Sequence, residues 1–148
     1  MARRTVFTLS ADTATVATTT LTTAEASGLL KYDWFTIDAA LTGVVGGTLD
    51  VYLQREVTTN VWADWCHFPQ FVAGGAAVDY TAQSGSDKTI HATEISTDAA
   101  AGTPALAANT LVGGHPGDRL RLVFVTGTST TAPAKTQTVY ISGWKADE

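Results

Sequence analysis

Cysteine, methionine, charge and long apolar runs are all scarce in this sequence, and each shortage removes a class of protein. The single cysteine, Cys66, excludes an internal disulfide framework and a cysteine-rich zinc site, and it reads as a buried thiol packing like a small hydrophobe. Charged residues make up 16% of the chain, against ~25% in an average soluble domain, and the helix builders Glu, Lys, Met and Gln are few. A helical bundle is therefore not expected. No stretch reaches the ~18 apolar residues of a membrane span, so a soluble chain is expected. Arg3 and Arg4 imitate the start of a twin-arginine export signal, but Ser10, Asp12, Thr13 and Thr15 follow where an apolar segment belongs. Neither Asn60 nor Asn109 opens a glycosylation sequon, and synthesis in a cytoplasm is the expectation.

Catalytic signatures are missing as well. There is no G-x-S-x-G or S-x-x-K nucleophile, and Gly43 to Gly47 lacks the Lys-Ser/Thr of a phosphate loop. His67, His91 and His115 stand 24 residues apart, a spacing that fits no metal motif within one element. Asp38, Asp50 and Asp64 fall in or beside strands, where two carboxyls facing a groove are the machinery of glycoside hydrolysis. Solvated strand faces explain them more simply, and no acid, base and nucleophile set assembles from named residues. The expectation is a protein that is not an enzyme and takes no metal or cofactor. A net charge of −5 repels phosphate, so neither nucleic acid nor an anionic membrane is an expected partner.

What the chain does have is β chemistry. Hydrophobic residues reach 45%, and roughly one residue in six is threonine. Threonine, valine and the aromatics suit a pleated, half-buried surface because their stiff χ1 costs little there. Phe35, Ile37, Ala39 and Leu41 alternate with Thr36 and Asp38, and Leu49, Val51 and Leu53 alternate with Asp50, Tyr52 and Gln54. With glycines between them, these two runs predict a hairpin. A turn at Thr58-Thr59-Asn60 leads into a strand from Val61 to Phe71, kinked at Pro69. Leu120, Leu122 and Phe124 share a face opposite Arg119 and Arg121, and Thr136 to Trp144 returns with Val139 and Ile141 inward, which predicts a second, longer hairpin. The Ala-rich stretch from Ser96 to Asn109, broken by Gly102-Thr103-Pro104, reads as a long connection of the kind a Greek key needs.

The expected fold is all-β, an antiparallel two-sheet sandwich of jelly-roll type. Residues 23–148 would form it. Residues 1–22 would be a Thr-rich N-terminal arm or edge strand, because Val6, Leu9, Val16 and Leu21 are too sparse for a central core strand. Trp34, Trp62, Trp65, Trp144 and Tyr52 could stack on sugar rings or fill a core or subunit interface. Trp62 and Trp65 differ by an odd offset, so at most one faces the core of a regular strand.

Gly47 to Gln54, Trp62 to Phe71, and Arg119 to Gly127 with its return Val139 to Trp144 together resemble small β-sandwich head proteins of tailed bacteriophages, over about residues 34 to 144. The resemblance lies in strand pattern and order. It implies a decoration or cement subunit, commonly trimeric, that binds the major capsid protein on the virion surface and braces the shell. The partners implied are the capsid protein and sister copies. The residues expected at such contacts are Arg3, Arg4, Val6, Phe7, Leu9, Trp62 and Trp65. The alternative is a carbohydrate- or receptor-binding module of a virion tail.

Overall fold

The computed structural model describes residues 3–10, 13–15, 20–42, 48–72, 78–84, 95–96, 106–112, 114–126 and 134–145. They form β1 (Arg3–Ser10), β2 (Thr13–Thr15), β3 (Thr20–Ala26), a 3-10 turn (Leu29–Lys31), β4 (Trp34–Thr42), β5 (Thr48–Thr58), β6 (Val61–His67), β7 (Phe71–Val72), β8 (Val78–Gln83), β9 (Ile95–Ser96), β10 (Thr110–Leu111), β11 (Leu120–Thr126) and β12 (Ala134–Lys145). The first sheet runs β1-β12-β4-β8, with β2 also on β12. The second runs β10-β6-β5-β11-β3, with β7 on β5 and β9 on β6. All of these pairings are antiparallel. The fold is the expected two-sheet sandwich.

Its core follows the period-2 reading. Phe35, Ile37, Ala39, Val139 and Ile141 of the first sheet meet Leu49, Val51, Leu53, Leu120, Leu122 and Phe124 of the second, each at most 2% exposed. Fully burying such a side chain stabilises the fold by roughly 1.5–3 kcal/mol, so this double row is the main hydrophobic contribution. Leu41 belongs to the same pattern, but its side chain lies outside the described set.

The predicted pairings need correction. β4 and β5 do not form a hairpin, and neither do β11 and β12: in each case the two strands lie in opposite sheets. Inner-facing alternation looks the same on both sheets of a sandwich, so it fixes a strand's face without naming its neighbour. Sheets pack ~10 Å apart, a gap that even the five residues 43–47 can cross at ~3.3 Å each. The β5–β6 hairpin is as read, with Asn60 at φ 61°, a left-handed turn that asparagine tolerates, and its amide donating to Glu56 at 3.0 Å.

Of the two alternatives for the N-terminal segment, arm or edge strand, the described residues show an edge strand. β1 is the edge strand of the first sheet, paired with β12 from Arg3↔Lys145 to Ser10↔Val139 with one bulge after Thr8. It does not stand away from the sandwich as an arm. Phe7 is half-buried and meets Tyr32 edge-on at 5.6 Å, and Leu9 is buried in the core. Gly143 lies beneath the Tyr32 ring, whose atoms stand 2.6–2.9 Å from where a Cβ would be, so a side chain there would push the ring out of its place between Phe7 and Phe35.

Candidate functional site

The outer face of the second sheet is not solvated, contrary to the alternating reading of β5 and β11. Tyr52, Gln54, Asp64, His67, Arg121 and Val123 occupy that face and are nearly all buried. Leu106 lies against it, 7% exposed, before the chain joins the sheet edge as β10, where the Val112 amide donates to the Trp65 carbonyl at 2.8 Å. Polar side chains so enclosed need partners, and they have them. Arg121 donates through Nε and Nη2 to Gln54 Oε1 at 2.9 and 2.7 Å. The Gln54 amide nitrogen donates to Asp64 Oδ1 at 2.7 Å, and Asp64 Oδ2 accepts from the Leu106 backbone at 3.0 Å. A buried cation and a buried anion are thus joined through one amide and pin Leu106 against the sheet.

His67 closes the same layer. Its ring stacks on Tyr52 with centroids 3.7 Å apart, Nδ1 faces the Leu106 carbonyl at 2.6 Å, and Nε2 faces Asp50 at 3.1 Å. Both partners are acceptors, so the two contacts are both hydrogen bonds only when the His67–Asp50 pair holds a proton for each ring nitrogen. Burial, together with Asp50 and Asp64, pushes the Tyr52 phenol up to about 12. His115 is structural too: Nε2 donates to the Tyr32 carbonyl at 3.0 Å, Nδ1 accepts from the Gly117 amide at 2.9 Å, and the ring meets Phe35 edge-on. His91 lies outside the described residues. Among the described residues, no group of three or more His, Cys, Asp or Glu gathers as metal ligands.

The tryptophans divide between the two sheets. A bulge at Trp65 shifts the β6 register, so Trp65 points into the core while Trp62 lies on the outer face under the Arg121 guanidinium, 4.3 Å from the ring centroid. Arg119 lies over the same ring at 5.5 Å and binds Glu56 at 2.7 Å and also Glu25. On the outer face of the first sheet, Trp34 and Trp144 are cross-strand neighbours stacked at 4.8 Å and 3°. Arg4 covers Trp144 at 5.5 Å and donates to Ser142 Oγ at 2.9 and 3.1 Å. Along this face Val6 is 49% and Tyr140 39% exposed.

Of the residues expected to meet a partner, Arg3, Arg4 and Val6 are exposed, Arg4 and Val6 on the outer face and Arg3 on the face of Phe7, while Phe7 is half-buried and Leu9, Trp62 and Trp65 are buried. The odd offset correctly separated Trp62 from Trp65, but it could not show that both would be covered. Asp38 is an exposed-face residue accepting from Thr81 at 2.8 Å, and it does not converge with Asp50 or Asp64. Sequence reading missed Gln54, Asp64 and Arg121 as a buried set. Their signal was three polar residues on the same faces of strands destined to be neighbours, which is visible only once the pairing is known.

A cleft of about 110 Å³ opens between β6, β8 and β10, lined by Cys66, His67, Phe68, Tyr80, Thr110 and Leu111 among others. Ligand pockets run ~300–1,000 Å³, so it admits a few heavy atoms at most. Cys66 is 2% exposed, and burial pushes its thiol from 9.0 up to about 12. At pH 8 its thiolate fraction therefore falls roughly a thousandfold below that of an ordinary thiol. Labelling by iodoacetamide at pH 8 is expected to be at least about a hundredfold slower in the native chain than in urea. Equal rates would place Cys66 in solvent.

Among the described residues no helix is long and apolar enough to cross a membrane. No protein-family model, no curated protein and no solved structure matches this chain.

Proposed function

We propose that the chain is a structural virion protein of the decoration type, binding the outside of a tailed-phage capsid and stabilising the shell without catalysis or cofactor. The observation that carries this reading is the division of labour between the two outer faces. On the second sheet, the residues with chemical capacity (Asp64, His67, Arg121 and Tyr52) are engaged in holding Leu106 against the sheet. On the first sheet, the face from Arg4 and Trp144 through Val6 to Tyr140 is open. A cement subunit needs such a surface, repeated in many copies, so that weak contacts multiply by avidity. Protein contact fits the tryptophans better than sugar stacking does. Trp65 is in the core, Trp62 lies under arginine, and Trp144 has Trp34 on one side and Arg4 on the other. The partners in this reading are the major capsid protein and sister copies in a homotrimer, with neither membrane nor nucleic acid.

The test is addition of the purified chain to capsids stripped of decoration. Saturable binding in many copies over the shell, with DNA retained to higher temperature, is the expected result. Binding confined to a few copies at the tail, or none, would overturn the reading. Light scattering on the free chain checks the trimer against a 15.5 kDa monomer.

A further inference from the structure

The two sheets end differently. The second breaks its edges up: β9 and β10, which share one side of β6, are two residues each, and β3 slips register against β11 between Arg121 and Val123. Short or bulged edges of this kind discourage a sheet from recruiting a further strand. The first sheet ends instead in β1, of eight residues, and β8, of six, and among the described residues no strand pairs with the far side of either. β1 holds its register on β12 from Arg3 to Thr8. Its charges, Arg3 and Arg4, sit at one end, while the single charge of β8, Asp79, sits near the start of that strand. Thr5 to Thr8 and Tyr80 to Gln83 carry none.

The two free edges are complementary in direction. β1 is antiparallel to β12, β12 to β4, and β4 to β8, so β1 and β8 run in opposite senses. A sister copy set alongside in the same orientation therefore brings its β1 to β8 as an antiparallel neighbour, and the step can repeat from copy to copy. The cross-strand rows say which residues meet. On the outer face Val6, Ser142, Thr36 and Gln83 form one row, and Thr8, Tyr140, Asp38 and Thr81 form the next. Continued straight, the sister copy's Val6 stands beside Gln83 and its Thr8 beside Thr81, uncharged against uncharged. Charge fits at the strand ends. The row of Arg3 and Lys145 leads on to Asp33, whose amide donates to the Trp144 carbonyl at 2.8 Å, and among the described residues β8 stops at Gln83, short of that row. The sister copy's Arg3 would face Asp33 across this gap of two strand spacings, ~10 Å, which the two side chains together can span.

Resting on the reading that the chain assembles with sister copies, we propose that β1 of one copy adds to β8 of the next in antiparallel register, with Val6 beside Gln83. The first sheets then join edge to edge, and their outer faces form one surface toward the particle. Main-chain hydrogen bonds supply the contact, so threonine-rich strands suffice for it. Because the two edges differ, the contact is head-to-tail and closes into a ring when the rotation between copies allows. Pairing like edges fits less well. A β1–β1 seam would hold only arginines as charged groups, and a β8–β8 seam only aspartates, whereas β1 on β8 brings opposite signs to the same seam.

The test uses the full chain with Cys66 in place and two single variants, Val6→Cys and Gln83→Cys, both at exposed positions. They are purified separately, mixed at high micromolar concentration, oxidised briefly with copper phenanthroline and separated on a non-reducing gel. Residues directly opposite on antiparallel strands have Cβ atoms ~4.5–5.5 Å apart, close to what a disulfide needs, so the mixture is expected to give at least about fivefold more cross-linked dimer than either variant alone. The parent chain and Thr59→Cys, at the tip of the β5–β6 turn, are expected to run as monomers. Val6→Cys cross-linking to itself as strongly as the mixture would mean β1 on β1, and Gln83→Cys doing so would mean β8 on β8. No cross-link in the mixture would mean that the two edges do not meet. Each of these three results overturns the proposal. Because the assay needs no capsid, a chain that decorates particles without this cross-link loses the proposal alone. One that cross-links as expected but binds no particle loses the functional reading instead.

Discussion

Removal of residues 2–10 is expected to abolish the cooperative native state. The deletion strips β1 from β12, exposing one side of a strand whose Val139 and Ile141 are completely buried. It also removes Phe7 from Tyr32 and Leu9 from the core. Those two side chains alone are worth roughly 1.5–3 kcal/mol each when fully buried, and a ladder of backbone hydrogen bonds goes with them. A domain of this size has ~5–15 kcal/mol in total. Near-ultraviolet circular dichroism should lose its aromatic signal, and the urea transition should vanish or broaden. The control is Arg3→Ala/Arg4→Ala/Val6→Ala, which changes only exposed side chains and should keep a sharp transition. A truncated chain unfolding at the parent midpoint would show that β1 adds nothing to the fold.

Asp64→Ala is the point change expected to cost most. It leaves the Gln54 amide nitrogen and the Leu106 backbone N–H without their acceptor, and it removes the anion that balances buried Arg121. Each buried donor left without its acceptor costs about 1–3 kcal/mol. Asp64→Asn keeps an acceptor oxygen and should lose less. Urea titration measures the loss, and hydrogen exchange locates it: the Leu106 and Val112 amides should exchange faster than those of β4 and β12. Uniform acceleration across both sheets would mean that the network braces the whole domain and not this segment. Replacing the set together, as Gln54→Leu/Asp64→Leu/Arg121→Met, is expected to recover much of the stability, because no charge is then left alone in the interior.

The sequence was legible wherever a residue's face decides its fate. Leu120, Leu122 and Phe124, or Phe35, Ile37 and Ala39, could be assigned inward from alternation alone, because one buried face imposes period 2 on any strand that borders it. Pairing was not legible in this way. The runs at 34–41 and 49–53 satisfy hairpin grammar, yet the two strands lie in opposite sheets, since nothing in alternation separates a turn within a sheet from a passage between sheets. Arg121 shows the second limit: an arginine opposite leucines reads as solvated unless another segment is known to cover it. The candidate interface was half visible. Arg3 and Arg4 stood out as basic residues in an acidic chain, whereas their division between the two faces of the first sheet follows from the register of β1 on β12.

The pairing of Arg3 with Lys145 sets an order on biosynthesis. β1 is made well before its hydrogen-bonding partner β12, so it must wait, unpaired on that side, until β12 has emerged. Loops that span a chain close slowly, and sheets built from distant strands fold in milliseconds to seconds. The threonine-rich, charge-tipped composition of β1 keeps that waiting strand hydrated and poorly adhesive. The same adjacency brings Arg3 and Lys145 side by side, so a short linker could join β12 to β1 and new ends could be opened in a surface turn such as Thr59-Asn60. In such a permuted chain β1 and β12 would become a local hairpin, and folding should begin with the strands that now meet last.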